Sequence, residues 1–296
     1  MMPSEELEKI LELMKSQKAE KGLTLLQQRA GFEAAPRFPL AEDVTCEEVD
    51  AGGVPGEWIT VPGAATGRVL IYLHGGGYAL GSVNTHREMI SRLARAAGVR
   101  ALAINYRLAP ENPCPAAVED SVKAYRWLLA SGISSAHVVI AGDSAGGGLT
   151  VASMIALRDA EDPLPAAGVC ISPWTDMECI GESLLASIEG GGMIELDGIR
   201  QMANAYLGGA DARTPLASPI HADLTGLPPL LIQVGGAEEL YSDATRLAGK
   251  AEADGVDVTL ESWEDMFHVW HSYAPMLPEG QQAINRVGEF IRKKMR

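Results

Sequence analysis

The stretch AHVVIAGDSAGG, residues 136–147, joins a short apolar run to a sequence with helical character. A run of this length and β-branched composition, bounded by glycine, is typical of a buried strand. A serine at a sharp turn from strand to helix adopts a strained backbone that only small neighbours tolerate, and its hydroxyl then stands clear of the sheet. Gly142 and Gly146 are such neighbours of Ser144. The same G-x-S-x-G pattern also occurs in ordinary turns, so a nucleophilic role for Ser144 needs support from the rest of the chain.

A second glycine-rich stretch follows another apolar run. Val69–Leu73 leads into His74-Gly75-Gly76-Gly77-Tyr78. Amides that no side chain covers can converge on a developing negative charge, so Gly76 and Gly77, together with the amide of Ala145, are predicted to form an oxyanion hole. The alternatives are a flexible loop and a phosphate cradle. The phosphate cradle is the weaker of the two, because neither G-x-G-x-x-G nor a following Gly-Lys-Ser/Thr is present.

Two further polar candidates follow apolar runs closer to the C-terminus. Glu238 comes after the predicted strand 230–234, and His268 comes after the predicted strand 258–263. The order nucleophile, acid and then histidine is the chain order of an α/β-hydrolase.

Taken together, these motifs resemble the bacterial hormone-sensitive-lipase-like (family IV) carboxylesterases of the α/β-hydrolase fold. The resemblance runs from about residue 40 to the C-terminus. The matching segments are His74–Gly77, Tyr106–Glu111, Pro115–Asp120, Gly142–Gly147, Ser172–Trp174, Ser218-Pro219 and the acid and histidine segments. The chain departs from the family at the acid. Many members carry aspartate in a G-x-x-D-x-L pattern, whereas this chain has Glu238 between Gly235 and Leu240.

The residue types predict a serine esterase mechanism. A serine hydroxyl is a weak nucleophile until an imidazole takes its proton, and a carboxylate on the far side of the ring fixes the tautomer. Ser144, His268 and Glu238 are assigned these three catalytic roles. His271 is an alternative base, and the family pattern favours His268. Glu239 and Asp243 are alternative acids, and the spacing to Gly235 and Leu240 favours Glu238.

The remaining polar residues near these motifs receive weaker assignments. Asp143 either tunes the electrostatics of the nucleophile or caps the helix that follows it. His74 is predicted to hold the oxyanion loop by hydrogen bonds. The other histidines are predicted to be ordinary core or surface residues, namely His86, His137 and His221. Neither a metal site nor a cofactor is predicted, because no H-E-x-x-H or clustered ligand spacing appears.

The order of the apolar runs predicts the fold class. Strand and helix patterns alternate from residue 68 onward, which indicates a mostly parallel central sheet with helices on both faces. Two earlier strands, over 43–49 and 56–61, are predicted to form an antiparallel edge. A length of 296 residues suits a single α/β domain, residues 1–296. Helical patterns over about 1–40 and about 177–214 are extra to the sheet, and the resemblance implies that they form a cap over the active site.

Several apolar residues are candidates to line an acyl or alcohol pocket beneath this cap. They are Tyr78, Met202, Tyr206 and Leu207, with Leu11, Met14 and Phe32 from the N-terminal region. Each has the alternative role of packing the cap against the core, since apolar residues at helical spacing usually face inward. A bounded pocket of this kind favours short- to medium-chain acyl esters.

Composition narrows the choice of partners and compartment. With 39 acidic and 24 basic residues the formal net charge is −15, so nucleic acid and anionic lipid are poor partners. The four cysteines show no C-x-x-C spacing and are predicted to be reduced. The N-terminus has no apolar signal-peptide region, and no run approaches the ~18 apolar residues of a membrane span. We therefore expect a cytoplasmic protein with a small ester substrate, and the resemblance implies a homodimer through residues 256–263.

Enzymes and binding proteins with other activities share this scaffold. An amidase or an acyltransferase uses the same triad, and no residue here excludes either. A non-catalytic binding protein of this family lacks the histidine that is present here as His268. Dehalogenases and epoxide hydrolases need aspartate at the position of Ser144.

Overall fold

One mixed sheet forms the centre of the molecule. The computed structural model describes residues 4–16, 22–186 and 194–295, and within these ranges eight strands pair in the order β1-β2-β4-β3-β5-β6-β7-β8. The strands are β1 (Thr45–Asp50), β2 (Pro55–Thr60), β3 (Ala65–Leu73), β4 (Val99–Ile104), β5 (Val138–Asp143), β6 (Ala167–Ile171), β7 (Leu230–Gly235) and β8 (Val258–Trp263). Neighbours from β4 to β8 are parallel, and β1 and β2 form an antiparallel edge. The predicted α/β-hydrolase sheet and its antiparallel edge are confirmed.

Helices cover both faces of this sheet. They are α1 (Glu5–Ser16), α2 (Leu25–Ala34), α3 (Val83–Ala97), α4 (Ala116–Ala130), α5 (Ala145–Asp159), α6 (Glu182–Ala186), α7 (Leu196–Leu207), α8 (Tyr241–Ala253) and α9 (Pro278–Lys294). Successive residues of a strand point to opposite faces. Accordingly Leu70 and Tyr72 pack with α3 and α9, whereas Val69, Ile71 and Leu73 pack with α4 and α5. Burial on both faces explains why the central strands are continuously apolar.

Helix α1 packs against the segment that follows β8. Leu7 and Ile10 are buried in a cluster with Met266, Phe267 and Trp270. The amphipathic pattern of the N-terminus therefore buries its apolar face beside the predicted base. Parts of the predicted cap, residues 1–3, 17–21 and 187–193, lie outside the described residues.

Helix α2 docks beside the glycine-rich loop after β3. Arg29 donates from Nε to the Ala79 carbonyl at 2.7 Å and from Nη2 to the Ala109 carbonyl at 2.7 Å. The same guanidinium pairs with Glu111 at 2.9 Å. These contacts tie α2 to the loop after β3 and to the segment 109–111.

The state of the cysteines and the character of the helices relate to the predictions made from composition. All four cysteines are free, with Cys170 and Cys179 buried. No helix in the described ranges combines the length and apolar character needed to cross a bilayer.

Candidate active site

Ser144 occupies the turn between β5 and α5 in a strained conformation. Its backbone lies at φ 52° and ψ −120°, outside the regions that most residues adopt. The Ser144 amide donates to the Ile171 carbonyl at 2.8 Å, which fixes the turn against the end of β6. A side chain at Gly146 would collide with the Leu73 carbonyl, so the start of α5 lies against β3. Strain at such a position is typical of a functional site that the surrounding structure holds in place.

The loop after β3 presents uncommitted amides near this turn. In the described part of the chain, the amides of Gly76, Gly77 and Ala145 donate to no protein acceptor. Ala145 also opens α5, where the helix dipole favours negative charge. Unpaired donors of this kind are free to bind an oxyanion.

Glu238 and His268 lie together after β7 and β8. The Oε2 atom of Glu238 is 3.6 Å from Nδ1 of His268. The same Oε2 accepts a hydrogen bond from Ser172 Oγ at 2.8 Å, and Ser172 Oγ accepts from the Val269 amide at 3.1 Å. Ser172 directly follows Ile171, whose carbonyl holds Ser144. The end of β6 thus connects the serine turn to the acid and histidine, a role for Ser172 that the sequence did not reveal.

The two alternative acids are committed elsewhere. Glu239 Oε1 accepts from the Ile194 amide at 3.1 Å. Asp243 Oδ2 accepts from the Thr175 amide at 2.8 Å, and its Oδ1 pairs with Arg246 at 3.0 Å. Burial raises the pKa of Asp243 to about 6 despite these partners. The geometry therefore favours Glu238 as the acid.

The two candidate bases have different environments. His271 is fully buried with Nε2 bonded to Gln233 Oε1 at 2.7 Å, and burial lowers its pKa to about 3. At His268 burial also acts to lower the pKa, but the carboxylate of Glu238, with smaller contributions from the charges of Glu239 and Asp143, outweighs burial and raises the pKa. Because Nδ1 of His268 faces Glu238, Nε2 is the ring nitrogen that remains for another partner. His271 instead has the partner of a structural histidine.

Asp143 does not cap α5, because Ser144 is the N-cap and the helix has no side-chain cap. Its buried carboxylate accepts hydrogen bonds from Tyr72 Oη at 2.7 Å and from the Gly75 amide at 3.1 Å. His74 has a holding role within the same loop. Its Nδ1 donates to the Gly75 carbonyl at 2.8 Å.

Four of the predicted pocket residues, those from the loop after β3 and from α7, fall into two groups. Tyr78 and Tyr206 are buried and stack at 3.7 Å with an interplanar angle of 5°, and Leu207 is buried near them. The burial of these three side chains agrees with the alternative role, packing against the core. Their contact with a substrate stays a prediction. Met202 lies over the oxyanion loop, because a side chain at Gly77 would run into its sulfur. This contact places α7 above the predicted oxyanion hole.

One cluster of ligand-type side chains was not predicted. Asp176, Glu178 and His221 lie close enough together to hold a cation. Two arginines already balance the carboxylates, with Arg246 at 2.9 Å from Asp176 and Arg213 at 3.4 Å from Glu178. The cluster therefore has the composition of an ion-pair network.

Comparisons with known proteins agree with this architecture. The family model described as alpha/beta hydrolase fold matches residues 70–272. An acetyl-hydrolase of Streptomyces hygroscopicus is 54% identical over 244 residues, covering 82% of this chain and 81% of its own. A crystal structure of an esterase from the bacterial hormone-sensitive lipase family is 50% identical, covers 100% of both chains and has a TM-score of 0.95. A crystal structure of EstE5 soaked with p-nitrophenyl butyrate is 48% identical, covers 99% of both chains and has a TM-score of 0.95.

The fold and the site therefore define an α/β-hydrolase. Within that class, the chain belongs to the bacterial hormone-sensitive-lipase-like family of esterases, and it is a carboxylic ester hydrolase.

Proposed function

We propose that this protein hydrolyses short- to medium-chain acyl esters through a Ser144–His268–Glu238 triad and an acyl-enzyme. The observation that carries the proposal is the combination of a strained serine turn with the amides of Gly76, Gly77 and Ala145, which donate to no acceptor among the described residues. Unpaired donors contribute no stabilising hydrogen bond to the folded loop. A tetrahedral oxyanion would accept hydrogen bonds from all three.

The reaction proceeds in two balanced halves. Ser144 Oγ forms a bond to the ester carbonyl carbon while its proton moves to Nε2 of His268, and the carbonyl oxygen becomes the oxyanion. The intermediate then breaks its bond to the alcohol oxygen, which leaves with the proton from His268. Water repeats the sequence on the acyl-enzyme. Its proton passes to His268 and then to Ser144, and the carboxylic acid is released. Glu238 stabilises the imidazolium in both halves.

We further propose that the N-terminal region and the segment containing α6 and α7 form a cap that bounds the acyl pocket. Met202 of α7 lies over Gly77, and Arg29 of α2 bonds the carbonyls of Ala79 and Ala109. A relative of this chain is an acetyl-hydrolase, which agrees with a pocket for small acyl groups.

The proposal is tested with p-nitrophenyl esters of increasing acyl length. Wild type should hydrolyse short chains and lose rate as the chain lengthens. Ser144→Ala and His268→Gln should each lose at least about 10³-fold in kcat. His271→Gln is the matched control for His268→Gln, because it makes the same exchange at a structural histidine. Its stability should fall while kcat stays near wild type.

Three results would overturn the proposal. The first is wild-type hydrolysis that persists in Ser144→Ala. The second is a larger loss in His271→Gln than in His268→Gln. The third is activity confined to anilide substrates or to acyl transfer onto added alcohols, which would instead identify an amidase or an acyltransferase.

A further inference from the structure

The carboxylate of Asp143 poses an electrostatic problem for the proposed reaction. It directly precedes Ser144 and bonds the Gly75 amide in the oxyanion loop at 3.1 Å. A buried negative charge next to a developing oxyanion would oppose the reaction. The two charges have the same sign, and their repulsion is only weakly screened inside a protein. A residue that offsets this charge is therefore needed.

His86 of α3 lies against this carboxylate. Its Nε2 is 3.3 Å from Asp143 Oδ2, and both side chains are at least nine-tenths buried. Its Nδ1 is 3.2 Å from the Ser82 carbonyl and 2.7 Å from the Thr85 hydroxyl. The rings in contact with His86 are uncharged, since burial lowers the pKa of His74 to about 3 and Phe32 carries no charge. The guanidinium of Arg37, which lies over the Phe32 ring, acts to lower the pKa of His86.

The partners of His86 determine its protonation state. The Thr85 hydroxyl donates its hydrogen to the Ser82 carbonyl at 2.8 Å, so both the hydroxyl oxygen and the carbonyl are available to accept a hydrogen from Nδ1. An ionised carboxylate also only accepts, so Nε2 carries a hydrogen as well. Burial by itself would lower the pKa of His86, but the charge and hydrogen bond of Asp143 outweigh it and raise that pKa. The same pairing, together with the Tyr72 bond, overcomes burial at Asp143 and lowers its pKa to about 2.

We infer that His86 is a positioning residue for the oxyanion hole, acting as an imidazolium through Asp143. The inference rests on the proposed function. The paired carboxylate keeps its bond to the Gly75 amide and so orients the loop that carries Gly76 and Gly77. The imidazolium cancels the charge that the carboxylate would otherwise present to the oxyanion. His86 itself touches neither substrate nor nucleophile.

The first test is a double-mutant cycle with His86→Gln and Asp143→Asn. His86→Gln leaves the carboxylate unbalanced, so kcat on p-nitrophenyl acetate should fall about 10- to 100-fold, less than the 10²- to 10³-fold cost of losing an oxyanion donor. KM should change little, because the ground-state carbonyl carries no charge. The double variant should recover part of kcat, since both partners are then neutral. His137→Gln, at the far end of β5 from Ser144, is the matched control and should match wild type.

The second test does not need turnover. A short-chain trifluoromethyl ketone forms a hemiketal oxyanion on Ser144, so its inhibition constant should rise in His86→Gln in parallel with the loss in kcat. If His86→Gln fails to fold, Asp143→Asn is compared with Asp143→Ala. Asparagine keeps an acceptor for the Gly75 amide, and so Asp143→Asn should bind the ketone more tightly than Asp143→Ala.

The outcomes separate the two proposals. Losses in kcat that add in the double variant, or a His86→Gln variant with wild-type kcat and ketone affinity, would overturn the role of His86. Wild type without Ser144-dependent hydrolysis would overturn the proposed function instead.

Discussion

Glu238 Oε2 lies 3.6 Å from His268 Nδ1, while Oε1 of the neighbouring Glu239 bonds the Ile194 amide. Glu238→Gln should therefore lower kcat about 10³- to 10⁴-fold, as losing the triad acid does in serine hydrolases. Glu239→Gln is the matched control, one residue away, and should keep kcat within about threefold of wild type. Steady-state kinetics on p-nitrophenyl acetate measures both. A larger loss in Glu239→Gln would reassign the acid.

The pH dependence of kcat/KM should depend on the same two residues, Glu238 and His268. The proposed base works only when its imidazole is neutral, so kcat/KM should fall as the pH drops through the pKa of His268, which the Glu238 carboxylate raises above the ordinary histidine value. Burial favours the neutral ring and Glu238 favours the charged one. Removing the carboxylate in Glu238→Gln should thus shift the acidic limb of the kcat/KM pH profile to lower pH. A limb that stays in place would show that Glu238 does not interact with the base.

Ser172 should act through both of its hydrogen bonds. Ser172→Ala removes the donor to Glu238 and the acceptor for the Val269 amide, and leaves buried groups unpaired. We expect a loss of about 1–3 kcal/mol in the free energy of unfolding and a drop of about tenfold or more in kcat. Ser153→Ala is the control, because Ser153 is equally buried but bonds Ser121 within the helical layer. A loss of stability in both variants with kcat preserved in both would refute the positioning role of Ser172.

Met202 should limit acyl length. Its sulfur lies over Gly77, so Met202→Ala would open space above the oxyanion loop. The ratio of kcat/KM for octanoyl to acetyl esters should rise by about 10-fold, the scale that a few methylene contacts supply. Met276→Ala, at an exposed methionine, is the control and should leave the ratio unchanged. An unchanged ratio in Met202→Ala would place the limit on acyl length elsewhere.

The proposed homodimer should depend on β8. This strand is paired only with β7 in the described sheet, and Leu260 on it is 38% exposed. An unpaired edge is a natural site for pairing with a second copy. Leu260→Lys should reduce the mass measured by light scattering to that of a monomer, and Leu26→Lys, at an exposed leucine of α2, should not. A wild-type monomer across working concentrations would rule the dimer out.

The sequence predicted the features that depend on local order. The serine turn, the glycine loop and the strands follow from runs of adjacent residues, so periodicity and glycine placement were enough to find them. The antiparallel edge was also predictable, because a Gly/Pro-rich turn separates its two strands.

Features that depend on tertiary contacts were not predictable in this way. His86 meets Asp143 only because α3 folds across the sheet, and the sequence around His86 resembles an ordinary helix. Ser172 gave no signal of its bond to Glu238 for the same reason. Glu238 and Glu239 are adjacent, so only their partners in the fold distinguish them. Tyr206 and Leu207 have the helical spacing of either packing or pocket residues, and their burial became visible only in the folded chain.

The packing of α1 against the segment that carries His268 has a consequence for biosynthesis. Leu7 and Ile10 emerge from the ribosome first, yet their partners Met266, Phe267 and Trp270 emerge near the end. A nascent chain can already contain Ser144 and its amides, but it has no base. The proposed ester cleavage should therefore begin only when synthesis is almost complete, because only then can α1 pack against the segment that carries His268.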